Sequence, residues 1–178
     1  MKRRIIGFSG LAGSGKSTAA EFLQKELGFE RVRFAGPLKA MLYALGLTAE
    51  EIDGSLKEEP CALLGGKTPR WAMQSIGTEW GRQLIDPNLW IHAWDRAVDA
   101  LPAHVPVVAD DVRFVNEVSA VHARGGLVVR VERDGLSRGD HVSETLDLPF
   151  DCVIRNGDIG AFRQSLLSMG EQFLQRAA

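Results

Sequence analysis

Eight residues near the start of the chain have the types and spacing of a phosphate-binding loop (P-loop). The segment Gly10 to Ser17 reads GLAGSGKS and fits the pattern G-x-x-x-x-G-K-[ST] at every fixed position. Its glycines let backbone N–H groups turn inward onto phosphate oxygens, and the helix that follows adds unpaired N–H groups. In this pattern Lys16 reaches the β- and γ-phosphates, and the Ser17 hydroxyl binds Mg²⁺. A glycine-rich turn without a ligand is the alternative. We predict that ATP contacts Leu11, Ala12, Gly13, Ser14, Gly15, Lys16, Ser17 and Thr18.

Two adjacent carboxylates follow a short apolar segment in the middle of the chain. Residues 106–109 read PVVA, and Asp110 and Asp111 come next. Asp110 therefore ends a predicted strand, where P-loop enzymes carry the acid that holds Mg²⁺, so we predict a metal site formed by Ser17 and Asp110. Capping the helix that begins near Val112 is the alternative for either aspartate. For Asp111, a general base at the acceptor and a helix cap both stay open.

Arginines after the strands supply positive charge. Arg113 lies at the start of a predicted helix, where a cation is unfavourable by about 0.3 to 1 kcal/mol, so a phosphate contact explains it better than helix stability does. Arg133 and Arg138 lie in a polar segment, 133–147, with the composition of a lid that closes on the transferred phosphoryl group. Solvated surface charge is the alternative for both. We predict Lys16, Arg113 and Arg133 as catalytic residues, and Arg133 and Arg138 as further ATP contacts.

A helix predicted to begin at Thr68-Pro69 carries a polar stripe. Arg70, Gln74 and Thr78 recur at i, i+4 and i+8 and suit a second phosphate and a base edge. A solvent-facing stripe is the alternative. Trp71 and Phe34 could form a wall against the sugar, and Lys39 is a weaker candidate for an anion contact. The residues predicted to bind the acceptor are Phe34, Lys39, Arg70, Trp71, Gln74, Thr78, Asp111, Arg113 and Glu144.

The same helix contains two glycines, Gly77 and Gly81. Each costs about 1 kcal/mol relative to alanine inside a helix, so we expect another helix or a flat ligand to approach the backbone there. The core face of this helix is predicted to consist of Met73, Ile76, Trp80 and Leu84.

Short apolar strands alternate with helical segments along the whole chain. Strands are predicted at 4–9, 31–35, 106–109, 127–131 and 152–154. Such alternation indicates βαβ units, an α/β fold with a parallel sheet and helices on both faces, and ligands beyond the carboxyl ends of the strands. We predict a single P-loop kinase domain over 1–178, with an acceptor-binding helical region at about 36–100 and a lid at about 133–147.

The overall composition excludes several classes of protein. With 178 residues, 45% hydrophobic, 25% charged and a formal net charge of −2, the chain has ordinary globular values and not those of a protein that coats nucleic acid. No run of about 18 apolar residues occurs, and the basic start is followed by a short strand rather than a signal peptide. We expect a cytoplasmic protein with small-molecule substrates and no nucleic-acid polymer or membrane as partner; a homodimer is left open.

The chain resembles the bacteriophage-type deoxynucleoside monophosphate kinases and, more distantly, the animal-type phosphomevalonate kinases. The resemblance rests on the P-loop, FAGPLK at 34–39, DDVRF at 110–114 with Glu117, HVSE at 141–144 and DCVIRN at 151–156. It implies transfer of the ATP γ-phosphoryl group to a deoxynucleoside 5′-monophosphate with Mg²⁺ and closure of a lid. It also implies the three-layer nucleoside monophosphate kinase fold with strand order 2-3-1-4-5, in which the Arg70 helix and the segment near Lys39 line the monophosphate site.

Other functions remain open from the residues alone. Transfer to a phosphate needs no general base, because the acceptor oxygen is already an anion, and the number of arginines favours such an acceptor. Transfer to a hydroxyl usually needs a carboxylate base, which Asp111 could supply. The alternatives are a kinase for phosphomevalonate, dephospho-coenzyme A or a similar acceptor, and a non-catalytic nucleotide-binding switch.

Overall fold

A five-stranded parallel sheet is the centre of the protein. The computed structural model describes residues 3–136 and 148–175. The strands are β1 Ile5–Ser9, β2 Glu30–Arg31, β3 Val107–Ala109, β4 Leu127–Glu132 and β5 Cys152–Arg155. Their order is β2-β3-β1-β4-β5, and every neighbouring pair is parallel. This confirms the α/β fold and the implied strand order. The crossover connections put β1, which leads into the P-loop, at the centre of the sheet.

The chain divides into two compact units. The first, here called the sheet unit, comprises residues 1–33 and 96–178, and the second, the helical unit, comprises residues 34–95. The prediction of a single catalytic domain, with a helical region at about 36–100, stays a prediction. No helix among the described residues is long and apolar enough to cross a membrane.

The described part of the sheet unit contains the helices α1 Lys16–Leu27, α6 Val115–Ala123 and α7 Ile159–Gln175. Helix α1 ends at Gly28, whose left-handed φ of 68° lets its N–H bond the Gln24 carbonyl. Helix α7 begins after Asp158, whose carboxylate accepts the Ala161 N–H at 2.8 Å. The apolar sides of α1 and α7 pack on one face of the sheet in a buried core of Ile6, Phe8, Ala19, Ala20, Leu23, Val108, Val129, Val131, Ile154, Phe162 and Leu166.

The helical unit consists of short segments with recognisable caps. Its elements are α2 Gly36–Ala44, α3 Ala49–Ile52, 3₁₀ turns at Ser55–Glu58 and Ala62–Leu64, α4 Pro69–Ser75 and a π-helix at Ile76–Ile85; α5 Leu89–Ala100 begins in this unit. Thr48 and Glu51 form a capping box at the start of α3, and Thr68 accepts the Trp71 N–H at the start of α4. A small core forms from Leu42, Leu47, Ile52 and Ala72.

The predicted core face of the helix after Pro69 is wrong in its second half. Trp80 is 40% exposed and Leu84 is 72% exposed, whereas Gly81 is buried. The cause is the π-helix, whose i→i+5 hydrogen bonds place more residues in each turn than the α-helical period assumes. A smaller difference is that β2 stops at Arg31, short of the predicted 35.

Candidate active site

The P-loop is held in its anion-binding shape by residues of the sheet unit. Gly10 and Gly15 have φ values of 133° and 104°, which only glycine adopts readily. A Cβ on Gly10 would collide with the Val131 carbonyl oxygen, so a side chain there is excluded by space as well as by conformation. Lys16 is buried, and its Nζ donates to the Gly10 and Leu11 carbonyls at 2.7 Å each. The loop itself therefore holds this ammonium group beside the phosphate-binding N–H groups.

Asp110 contacts the P-loop and two arginines at the end of β3. Its Oδ2 accepts from the Ser17 hydroxyl at 2.8 Å, and its Oδ1 accepts from Arg31 Nε at 3.0 Å and Arg33 Nε at 2.9 Å. A second Arg31 nitrogen donates to Oδ2. Burial by itself would raise the pKa of Asp110, but the hydrogen bonds and charges of the two arginines and the Ser17 hydroxyl outweigh it and hold that pKa well below its usual range. Asp110 is therefore ionised at neutral pH.

The oxygens of Ser17 and Asp110 fit a magnesium site. Mg²⁺ prefers oxygen ligands and is usually held by one or two protein groups together with phosphate oxygens and waters. The structure brings the two predicted ligands within 2.8 Å of each other and keeps the carboxylate charged. Within residues 3–136 and 148–175, no three His, Cys, Asp or Glu side chains cluster as a protein-only metal site would require.

Glu117 positions the segment that carries Arg113. Its buried carboxylate oxygen Oε2 accepts the N–H groups of Arg113 at 2.7 Å and Phe114 at 3.1 Å. The start of α6 is thereby capped from its own first turn, and Asp110 is not needed as its cap. Arg113 lies just before this helix, as predicted.

A cavity of about 330 Å³ adjoins the P-loop within the sheet unit. Gly10 to Ala12 and Ser14 line one part of it, and Arg113, Arg130 and Arg133 line another. The structure thus brings together the loop and two of the predicted arginines. Ser9 and Ser14 also line this cavity, and their buried hydroxyls have no hydrogen-bond partner among the described residues. Arginines and unpartnered hydroxyls beside a P-loop are suited to phosphate oxygens.

Five residues of this site were not predicted as contacts: Arg31, Arg33, Glu117, Arg130 and Asn156. Arg130 could have been noticed, because it interrupts the apolar strand LVVRV of β4. Its guanidinium lies over the Phe150 ring, 4.8 Å from the centroid. The Asn156 amide donates to the Ser14 carbonyl.

The acceptor residues predicted in the helical unit have varied surroundings. Trp71 is 50% exposed, with Lys67 Nζ 5.2 Å from its ring centroid, and Gln74 and Thr78 are half-buried. Arg70 is paired with Glu58 and Lys39 with Asp53. Phe34 is 1% exposed and stacks on Trp94 with ring centroids 4.5 Å apart, so its ring offers no surface to a ligand in this conformation.

The close approach expected at the two helix glycines comes from another helix. A Cβ on Gly81 would lie 2.6 Å from the indole ring of Trp90, which belongs to α5. The Trp90 Nε1 donates to the Gly77 carbonyl at 2.8 Å. Packing of helix on helix therefore accounts for Gly81.

Arg138, Glu144 and most of the predicted lid lie outside the described residues.

Comparison with known proteins places this chain among kinases. No protein-family model matches it. A protein of Acanthamoeba polyphaga mimivirus, described as "Putative deoxynucleotide monophosphate kinase", is 37% identical over an alignment of 182 positions that covers 92% of this chain and 94% of the viral protein. The crystal structure of TT1252 from Thermus thermophilus matches 97% of this chain and 98% of its own, with 15% identity and a TM-score of 0.56. A shikimate kinase from Bacteroides thetaiotaomicron matches 96% and 97%, with 11% identity and a TM-score of 0.49. The likeness to TT1252 shows the fold alone.

Proposed function

We propose a specific reaction for this chain, which belongs to the deoxynucleotide monophosphate kinase family: it transfers the γ-phosphoryl group of ATP to a deoxynucleoside 5′-monophosphate and releases ADP and the deoxynucleoside diphosphate. The broader statement, that the chain is a P-loop kinase and hence a phosphotransferase, follows from its family and its fold. The nature of the acceptor is the part that we propose.

The cavity beside the P-loop is the observation that carries the proposal. It is lined by Arg113, Arg130 and Arg133, with Glu132 and Asp134 as the acidic members. A phosphate acceptor attacks with an oxygen that is already negative, so this transfer requires positioning and positive charge and no proton removal. Three arginines at one P-loop cavity match that requirement better than the requirement of a hydroxyl acceptor for a general base.

The roles that we assign follow from these positions. Lys16 and the loop N–H groups bind the β- and γ-phosphates, Arg133 contacts the triphosphate, and Arg113 holds the acceptor phosphate. Mg²⁺, when held by Ser17, Asp110 and phosphate oxygens, supplies charge that screens the phosphate being transferred. Arg31 and Arg33 keep Asp110 ionised and in place.

In the helical unit we propose that Arg70, Trp71, Gln74 and Thr78 bind the acceptor, with Lys39 in a lesser role. Arg138, Glu144 and the lid at 133–147 keep their predicted roles as proposals. So do a single catalytic domain over 1–178 and a cytoplasmic location.

A coupled assay for ADP release tests the acceptor class. With ATP and Mg²⁺, we expect turnover for one or more of dAMP, dGMP, dCMP, dTMP and hydroxymethylated dCMP. Turnover confined to phosphomevalonate or dephospho-coenzyme A would identify the runner-up kinases. Tight ATP binding with no transfer to any of them would identify a switch.

Variants of the cavity arginines test the assigned roles. Arg113→Met removes a charged contact worth about 1.5 to 3 kcal/mol, so kcat/KM for the monophosphate should fall about 10- to 150-fold while the KM for ATP changes little. The fold should survive, because loss of a cation at a helix N-terminus is favourable. Arg163→Met, on the exposed side of α7, is the matched control and should leave both constants unchanged. Equal loss in both variants would contradict the role of Arg113.

A further inference from the structure

Asn156 lies directly after β5 and reaches across to the P-loop. Its own N–H donates to the Glu132 carbonyl at 2.7 Å and so extends the pairing of β5 with β4 by one residue. Its side-chain Nδ2 donates to the Ser14 carbonyl at 2.9 Å, over a separation of 142 residues along the chain. Both ends of this contact belong to the sheet unit. The pairing of β5 with β4 therefore fixes the backbone of Asn156, and the side-chain amide binds the P-loop from that position.

Because a peptide unit is planar, the hydrogen bond to the Ser14 carbonyl also fixes the direction of a second group, the Gly15 N–H. The bond between Ser14 and Gly15 is trans, and in a planar trans peptide the C=O and the next N–H point in opposite directions. Because Asn156 holds the Ser14 carbonyl, the Gly15 N–H points to the opposite side of the loop. Gly15 itself does not fix this choice, since a glycine tolerates the backbone angles on either side of a peptide flip.

The contact also leaves no space for a side chain at Gly15. A Cβ at this position would collide with Asn156 Nδ2. Gly15 is therefore required for two reasons: it adopts a φ of 104°, and its lack of a side chain leaves space for the Asn156 amide. The Ser14 carbonyl, in a nearly fully buried residue, receives a partner that water would otherwise have to supply.

We propose that Asn156 is a positioning residue for the triphosphate: it keeps the Gly15 N–H turned toward the phosphates and the Ser14 carbonyl oxygen turned away from them. This inference rests on the proposed function, because it takes a nucleotide as the ligand of the loop. Without Asn156 the peptide unit can turn over, and a carbonyl dipole would then oppose the phosphate charge instead of attracting it.

Two substitutions test the inference by nucleotide binding, which does not depend on turnover. Asn156→Ser shortens the side chain so that it no longer reaches the loop, and Asn156→Asp keeps the shape but removes the donor. Isothermal titration with Mg·ADP should show a Kd about tenfold higher for Asn156→Ser, a change equal to about 1.4 kcal/mol. The rise should be larger for Asn156→Asp, whose carboxylate repels both the carbonyl and the phosphates. The KM for the acceptor should stay within about twofold.

Gln164→Glu is the control for the charge change, because it makes the same amide-to-acid exchange on the exposed side of α7. It should bind Mg·ADP as the wild type does. In the nucleotide-free protein, hydrogen exchange should become faster at the amides of residues 13–17 in both Asn156 variants and remain unchanged in the rest of the sheet unit.

The outcomes separate this inference from the function on which it rests. If the wild type binds Mg·ADP and Asn156→Ser binds it with a Kd within twofold of the wild-type value, the inference is overturned and the proposed function is not. Faster exchange throughout the sheet unit would also overturn it, because the role of Asn156 would then be general stability. A wild type that binds no Mg·ADP would overturn the proposed function and the inference with it.

Discussion

Gly77 and Gly81 lie four residues apart in one π-helix, yet replacing them with alanine should have opposite effects on stability. A Cβ on Gly77 would lie 3.5 Å from a Leu38 methyl group, an ordinary van der Waals distance. A Cβ on Gly81 would lie 2.6 to 2.7 Å from three atoms of the Trp90 indole. The two substitutions therefore share the backbone effect of losing a glycine and differ in the space that the new methyl group finds.

The expected magnitudes follow from these surroundings. Loss of a helix glycine is worth about 1 kcal/mol, so Gly77→Ala should raise the free energy of unfolding by about 0.5 to 1 kcal/mol. In Gly81→Ala the same gain is opposed by overpacking against buried Trp90, about 1 to 3 kcal/mol. Displacement of the indole also weakens its hydrogen bond to the Gly77 carbonyl, worth about 1 kcal/mol. The sum is a net loss of about 1 to 3 kcal/mol.

Urea denaturation followed by tryptophan fluorescence and far-ultraviolet circular dichroism measures both changes. Agreement of the two signals tests whether unfolding is a single transition, which is required before free energies are compared. Gly77→Ala serves as the matched control for helix propensity. If Gly81→Ala were as stable as Gly77→Ala, the packing of Trp90 on Gly81 would be refuted as the reason for that glycine.

Three buried polar groups give further predictions. Asp110→Asn should lower the free energy of unfolding in urea at pH 7 by about 3 kcal/mol, because it leaves Arg31 and Arg33 beside a neutral amide. The lowered pKa of Asp110 means that its contribution is complete above the ordinary aspartate pKa of about 4 and is lost as the pH falls below it, so the variant should lose less stability than the wild type on acidification to about pH 3. Ser14→Ala removes a hydroxyl that has no partner among the described residues; urea denaturation should show an unchanged or slightly higher stability, and the KM for ATP in the coupled assay should rise severalfold. Glu117→Ala takes the acceptor from two N–H groups at the start of α6 and should lower the free energy of unfolding by about 2 kcal/mol, measured by calorimetry.

Each of these predictions has a contrary result. If Asp110→Asn were as stable as the wild type at pH 7, the stabilising role of the ion pairs between Asp110 and the two arginines would be contradicted. A large loss of stability in Ser14→Ala would show that its hydroxyl is satisfied in the folded protein. An unchanged thermal transition in Glu117→Ala would contradict the cap of α6.

Signals that act over a few residues allowed much of the fold to be predicted. Thr68-Pro69 predicts the start of a helix through a side-chain cap and a preset backbone angle, and α4 begins there. The capping box at Thr48 and the glycine at 28 also act within one turn of the helices that they bound. Strands β1, β3, β4 and β5 were recognisable as apolar runs between helices, whereas β2 is the polar pair Glu30–Arg31 and was predicted at 31–35. Their order came from the resemblance to a kinase family and could not have been read from periodicity, which carries no information about which strands are neighbours.

The contacts of the site were predicted less well because they join distant parts of the chain. Arg31 lies 79 positions and Arg33 lies 77 positions before Asp110 in the sequence, although both bind its carboxylate. Nothing in the local sequence distinguishes these two residues from surface arginines. Asn156 belonged to a recognised motif, but its bond to Ser14 depends on β5 lying beside β4. The exposed side of the π-helix was missed for a different reason, because the α-helical period was applied to a segment that does not follow it.

The π-helix at Ile76–Ile85 also affects how this chain should be aligned with its relatives. Each i→i+5 bond encloses one residue more than an α-helical bond does, so this 10-residue segment makes fewer turns than an α-helix of the same length. A relative that forms a plain α-helix with the same number of turns here should therefore have fewer residues over this stretch. Aligned without a gap, every residue after the segment would be paired with the wrong residue of that relative. A gap within 76–85 should therefore improve the match of buried positions on the C-terminal side, including Trp90.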